Sequence, residues 1–207
     1  MYSLIKLDED FKHARHSAVI RVVSELTAQS YKTTHSVIGV YLATQKSLLL
    51  SGADIHFGSL VTIKISSGRY NQTRYSTASL AYAISKRLSI PYNTTLDIIR
   101  TYLSVVSHCL EIGYPVTFQS IVKLKPRVSD DKLESVGGNI SNTLSDLLNA
   151  NGISARVSLL NWRRSLSTRT NQNNIESISF KNFKSLLDME ETSEENEVSN
   201  NEYMSLF

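Results

Sequence analysis

The chain is poor in residues that staple or interrupt a fold: one cysteine, three prolines and eight glycines in 207 residues. A lone thiol, Cys109, cannot close an internal disulfide, so burial has to hold the structure and nothing indicates an oxidising compartment. Long hydrophobic runs are missing too. No segment approaches the roughly 20 apolar residues of a membrane span, and the opening MYSLIKLDEDFKHARH meets acids before an apolar signal core could form. The expectation is a cytosolic setting with no membrane role. Lys and Arg vanish from Asp188 onward, where Asp188, Glu190, Glu191, Glu194, Glu195, Glu197 and Glu202 fall. Taking these seven from the 19 acids leaves 12 against 22 bases, a body of +10 and a tail of −7. That division points to an anionic partner, or to a tail that folds back onto its own body or a neighbour. Absent as well are a Walker loop, a Gly-x-Gly-x-x-Gly run and a Gly-x-Ser-x-Gly elbow.

What the chain does have is 41% apolar side chains, enough for one ordinary domain or two small ones, and an internal repeat. Residues 31–64 and 92–125 align without a gap at an offset of 61, with identities that include Tyr31/Tyr92, Thr34/Thr95, Tyr41/Tyr102, Leu42/Leu103, Leu49/Leu110, Gly52/Gly113, Phe57/Phe118, Val61/Val122 and Lys64/Lys125. In the second copy Asn93 is the candidate N-cap. Ile98, Ile99, Tyr102, Leu103, Val106, Cys109 and Leu110 then recur at spacings of three and four, the stripe of a helix of about five turns. Gly113 stops that helix as Gly52 stops its twin. Beyond each glycine Val116, Phe118, Ser120, Val122 and Leu124 alternate with other residues, the period of a single strand, and Ile55, Phe57, Ser59, Val61 and Ile63 do likewise, so each unit reads as short helix, long helix and strand. Shorter amphipathic helices are expected upstream, over 17–29 and 78–90. Units this small cannot bury both a helical stripe and a strand face alone, so the copies should pack on each other or on another chain.

Short helix, loop, long helix, then Leu-x-x-Gly-x-x-Val-x-Phe running into a strand resembles the N-terminal half of the HU and integration host factor family of bacterial histone-like proteins. LEIGYPVTF (110–118) carries the likeness closely and LLSGADIHF (49–57) is its weaker duplicate. Proteins of that family are dimers interlocked through their helices beneath a saddle-shaped sheet. The resemblance therefore implies an α+β fold of two tandem units in a pseudo-dimer with a C-terminal extension. The expected divisions are an N-terminal arm (1–16), a first unit (17–75), a second unit with an added helix and strand (76–170), and a last helix with the acidic tail (171–207).

The chain departs from the family where the family grips DNA. Ser120-Ile121-Val122 and Ser59-Leu60-Val61 stand where a flexible Gly-x-Gly is usual. The prolines are Pro91, Pro115 and Pro126, none in the Arg-Asn-Pro context that wedges between base steps. SSGRYNQTRYST (66–77) is too short for an arm, and VSDDKLESVGGN (128–139) is acidic where an arm would be basic.

Farther along, 138–151 reads as a short helix, and 153–162 as a strand that would complete the sheet of the second unit. Residues 182–191 read as a last helix. Tyr203, Met204, Leu206 and Phe207 end the acidic tail as an apolar hook, a candidate for docking on a neighbouring subunit. Lys123, Lys125 and Arg127 alternate along a strand, with Arg163 and Arg164 as further candidates. Such alternation suits a phosphate-tracking face and equally the solvent face of a half-buried strand. Arg69 and Arg74 flank Tyr70 and Tyr75, a hint of base stacking. His13 and His16 read as a solvated terminus rather than metal ligands, and Cys109 as core.

The residues imply no enzyme, cofactor, metal or small-molecule substrate. The resemblance extends to tail and connector ring proteins of crAss-like tailed bacteriophages, another use of the integration host factor fold. It implies a virion structural protein, assembled in the host cytoplasm, that forms a homo-oligomeric ring and touches other virion proteins. The alternative is an architectural DNA-binding protein whose acidic tail acts as an internal mimic of DNA.

Overall fold

Two helix-and-strand units follow one another along the chain and keep the offset of the sequence. The computed structural model describes residues 16–68, 70, 75–129 and 132–159. The first unit comprises α1 (His16–Leu26), α2 (Tyr31–Leu50), β1 (Ile55–Phe57) and β2 (Val61–Ser67). The second comprises α3 (Thr77–Leu88), α4 (Tyr92–Glu111), β3 (Val116–Phe118) and β4 (Val122–Ser129). The single strand expected after each glycine is corrected: the chain turns at 58–60 and 119–121, with left-handed φ at Gly58 and Gln119, and each unit has two antiparallel strands in its place. Adding 61 to the first residue of each element gives the first residue of its counterpart in all four cases. Backbone conformation repeats even where the residue does not. Left-handed φ occurs at Ala28 (50°) and Ser89 (54°), at Gly52 (87°) and Gly113 (91°), and at Gly58 (56°) and Gln119 (41°). The repeated packing therefore holds three non-glycine residues in a region that glycine occupies at less cost.

Local chemistry sets the helix boundaries. Ser30 and Ser76 accept from the amides of Thr33 and Ser79 at 3.0 and 3.1 Å, capping α2 and α3. The expected cap at Asn93 is corrected: the N-cap is Pro91, two residues earlier, whose side chain makes no capping bond, and α4 begins at Tyr92. Pro91 stands at the position equivalent to Ser30, so register alone places the start of α4.

Beyond the repeat come β5 (Lys132–Ile140), α5 (Asn142–Ala150) and β6 (Ser154–Leu159). The helix expected over 138–151 is shorter, because residues 138–140 belong to β5. Ser141 caps α5 by accepting from the Leu144 amide at 3.3 Å, while its own amide donates to the Ile121 carbonyl at 2.9 Å. The strand order is β1-β2-β6 in one sheet and β3-β4-β5 in the other, all antiparallel. This overturns the expected pairing of the last strand. β5 already occupies the edge of β4, so β6 returns to the first unit and pairs with β2, from Val61↔Leu159 to Ser67↔Ser154. The first unit thus borrows its third strand from beyond the second unit. Among the described residues the fold is α+β, five helices with two small antiparallel sheets.

One core lies between helices and sheets and draws on both units. α1 packs on α4 and α3 on α2, so each short helix meets the long helix of the other unit. At the centre Phe57 stacks on Phe118, and Tyr41, Tyr102, Ile38 and Ile99 are fully or almost fully buried around them. The inner edges of the two sheets, β5 and β6, also approach each other. A Cβ placed on Gly138 would lie 2.8 Å from Val157 Cγ1. These residues hold equivalent places, opposite Leu124 and Ile63 respectively.

Candidate functional site

Strand alternation divides the sheets into two faces. On β4, Val122 and Leu124 are buried, and the residues between and beyond them point away from the core: Lys123 half-buried, Lys125 and Arg127 exposed. Their cross-strand partners on β5 are Asn139, Gly137 and Ser135, none of them charged. On β2, Ile63 is buried and Lys64 exposed, and opposite Lys64 on β6 stands Arg156, also exposed. Residues directly opposite in an antiparallel pair share a face. The outward faces therefore carry Lys64 and Arg156 on one sheet and Lys123, Lys125 and Arg127 on the other. Asp54 is the acid nearest in register to Lys64, and one of its carboxylate oxygens accepts from the Ile65 amide at 2.8 Å.

The three strand cations expected from alternation thus share one face. Arg163 and Arg164 lie outside the described residues, as does the hook of Tyr203, Met204, Leu206 and Phe207. Alternation along β4 alone does not reveal Lys64 and Arg156. Lys64 is legible in the sequence as the repeat partner of Lys125; Arg156 joins the face only because β6 crosses to the first unit. Arg69 and Arg74 are outside the described residues. Tyr70 is exposed, whereas Tyr75 packs partly buried against the core, so these tyrosines do not form a shared stacking platform.

A second surface lies on the helices. Tyr82 of α3 is 57% exposed and Tyr92 of α4 37%, their rings meeting at 6.4 Å with Lys86 Nζ 5.6 Å from the Tyr82 ring centre. An open crevice nearby in sequence is lined by Gln29, Asn93, Thr94, Leu96, Asp97 and Arg100.

Burial tunes the titratable groups inside the fold. Cys109 is fully buried and its thiol is pushed up to about 12 by desolvation, as expected of a core residue. His16 corrects the expectation of a solvated terminus. It is the first residue of α1, edge-on to Tyr102 at 6.3 Å, and desolvation first, then the charge of His35, push it down to about 4. His13 lies outside the described residues. Among the described residues, no group of three or more His, Cys, Asp or Glu could hold a metal ion, and no helix is long and apolar enough to cross a membrane.

No protein-family model matches this chain, and neither a curated protein nor a solved structure matches it.

Proposed function

We propose that the protein is a single-chain scaffold of the HU and integration host factor type, without DNA-gripping arms, that builds a ring in a phage tail or head-tail connector. The observation that carries this reading is the length of the β4-β5 hairpin. Its last pair, Ser129↔Lys132, lies one position past the place equivalent to the end of β2, so no ribbon projects beyond the sheets among the described residues. The pairing of two units, which that family makes between protomers, is satisfied here inside one chain. Such a chain has two similar but unequal halves. Copies can then join through unlike surfaces, head to tail, a geometry that closes into rings. The exposed Tyr82-Tyr92 pair supplies an apolar contact for this purpose. Light scattering and electron microscopy of the purified chain test the reading. Closed rings or stable oligomers are expected, weakened by removing residues 198–207 or by Tyr82→Ser with Tyr92→Ser. A chain that stays monomeric at every concentration overturns it.

A second reading has its own support in the cations of the outward sheet faces: nucleic acid held along Lys64, Lys123, Lys125, Arg127 and Arg156. Duplex DNA should then bind with a steep salt dependence. Replacing Lys123, Lys125 and Arg127 by Gln should lower the slope by about one for each phosphate that is no longer neutralised. Binding unchanged by that triple substitution removes this reading.

A further inference from the structure

We propose that in the free protein the outward basic face of the two sheets is covered by the chain's own acidic segment, residues 188–202. The charge distribution carries this inference, independently of both functions proposed above. Five cations from both units share the outward faces: Lys64 and Arg156 opposite each other, and Lys123, Lys125 and Arg127 on alternate positions of β4. The cross-strand partners of the three β4 cations are Asn139, Gly137 and Ser135, and Thr62 stands opposite Ser158, so none of these β2-β6 and β4-β5 pairs includes an acid. Asp54, at the margin, already gives one oxygen to a backbone amide. A face with such a surplus of cations is stabilised by a polyanion laid along it.

The complementary charge is in the same chain. Seven acids and no base lie from Asp188 to the end. The described residues end at Leu159, the last residue of β6, the strand that carries Arg156. Asp188 follows 29 residues later, a contour of up to roughly 100 Å, so reach does not limit the contact. Tethering also keeps the acids at an effective concentration on the order of millimolar near the face, without requiring another molecule.

Trace acetylation of lysine amines, read residue by residue by mass spectrometry, tests this on three chains: the full chain, a chain ending at residue 187, and a full-length variant with Glu190, Glu191, Glu194, Glu195 and Glu197 all changed to Gln. At low salt, Lys64 and Lys125 should label several-fold more slowly in the full chain than in the other two. Lys46 and Lys86, on α2 and α3, should label alike in all three. Raising the salt should erase the difference, because screening acts on exposed pairs. The Gln variant keeps the length and the apolar end, so it isolates charge. Equal labelling of Lys64 and Lys125 in the three chains overturns the proposal. Protection that grows with protein concentration also overturns it, by assigning the acidic segment to a second copy. Protection that appears only when duplex DNA is added overturns it too, in favour of nucleic acid.

Discussion

Phe57 and Phe118, equivalent residues of the two units, stack with ring centroids 4.3 Å apart and planes 27° from parallel. Each is met edge-on by a tyrosine of its own unit, Tyr41 at 6.2 Å and Tyr102 at 5.9 Å. The result is a four-ring ladder, Tyr41-Phe57-Phe118-Tyr102, whose middle contact joins the halves. Neither unit can form its centre without the other, so the chain should unfold in one transition. Phe57→Ala and Phe118→Ala should each cost about 3–5 kcal/mol. Urea titrations followed by near- and far-ultraviolet circular dichroism check this, because two separate transitions would make the halves independent domains.

The ladder is symmetric in its rings but not in its hydroxyls. Tyr41 Oη accepts from Gln45 Nε2 at 3.1 Å, and Gln45 also donates to the His56 carbonyl at 2.9 Å. At the equivalent of Gln45 the second unit has Val106, and the buried Tyr102 hydroxyl has no hydrogen-bond partner among the described residues. A buried hydroxyl without a partner leaves its desolvation uncompensated. Tyr102→Phe should therefore be neutral or stabilising, while Tyr41→Phe should cost roughly 1 kcal/mol. Thermal melts of the two variants side by side give the comparison, and equal losses would show that the two sites do not differ as described.

The repeat was legible because one pattern of spacing does the same work twice. Apolar residues at helical intervals and a stopping glycine at Gly52 and Gly113 placed the helices of the repeat within about three residues. Alternation through Phe57 and Phe118 continued across the turns at 58–60 and 119–121 and so concealed that each expected strand is two. Sequence patterns fail where pairing is decided by competition. β5 contains Gly137 and Gly138 among polar residues and shows little strand preference on its own. It forms because it follows β4 across a short hairpin. Once β5 holds that edge, β6 has to seek another, and the open edge of β2 lies across the fold. Lys123, Lys125 and Arg127 could be placed on one face from alternation alone. Arg156 could not, since its neighbour Lys64 is set by that long-range choice.

The junction of the two sheets depends on a difference in size between equivalent residues. Gly138 leaves the space that Val157 fills; a Cβ there would stand 2.8 Å from Val157 Cγ1 and 3.1 Å from Leu124 Cδ2. Gly138→Ala should destabilise the fold by roughly 1–3 kcal/mol through overpacking. Adding Val157→Ala should recover part of that loss, so the two changes together should cost less than the sum of their separate effects. A double-mutant cycle by urea denaturation measures the coupling. Strict additivity would mean that the sheet edges do not meet there.

Burial of His16 makes stability depend on pH with a definite sign. Its pKa is lowered from 6.5 in the unfolded chain to about 4 by desolvation first and by His35 second, and burial lowers His35 in the same direction. Between these values the unfolded chain takes up a proton that the folded chain refuses. Stability is therefore full above about 6.5, falls as the pH drops through that window, and stops falling from this source below about 4. The loss due to His16 is on the order of 2–3 kcal/mol. His16→Phe keeps a ring against Tyr102 and removes the titration, so its stability should fall less steeply than wild type from pH 6.5 to 4, with the slope due to His35 remaining. Urea midpoints for both chains across that range provide the measurement. Parallel curves would show that the proton is taken up elsewhere.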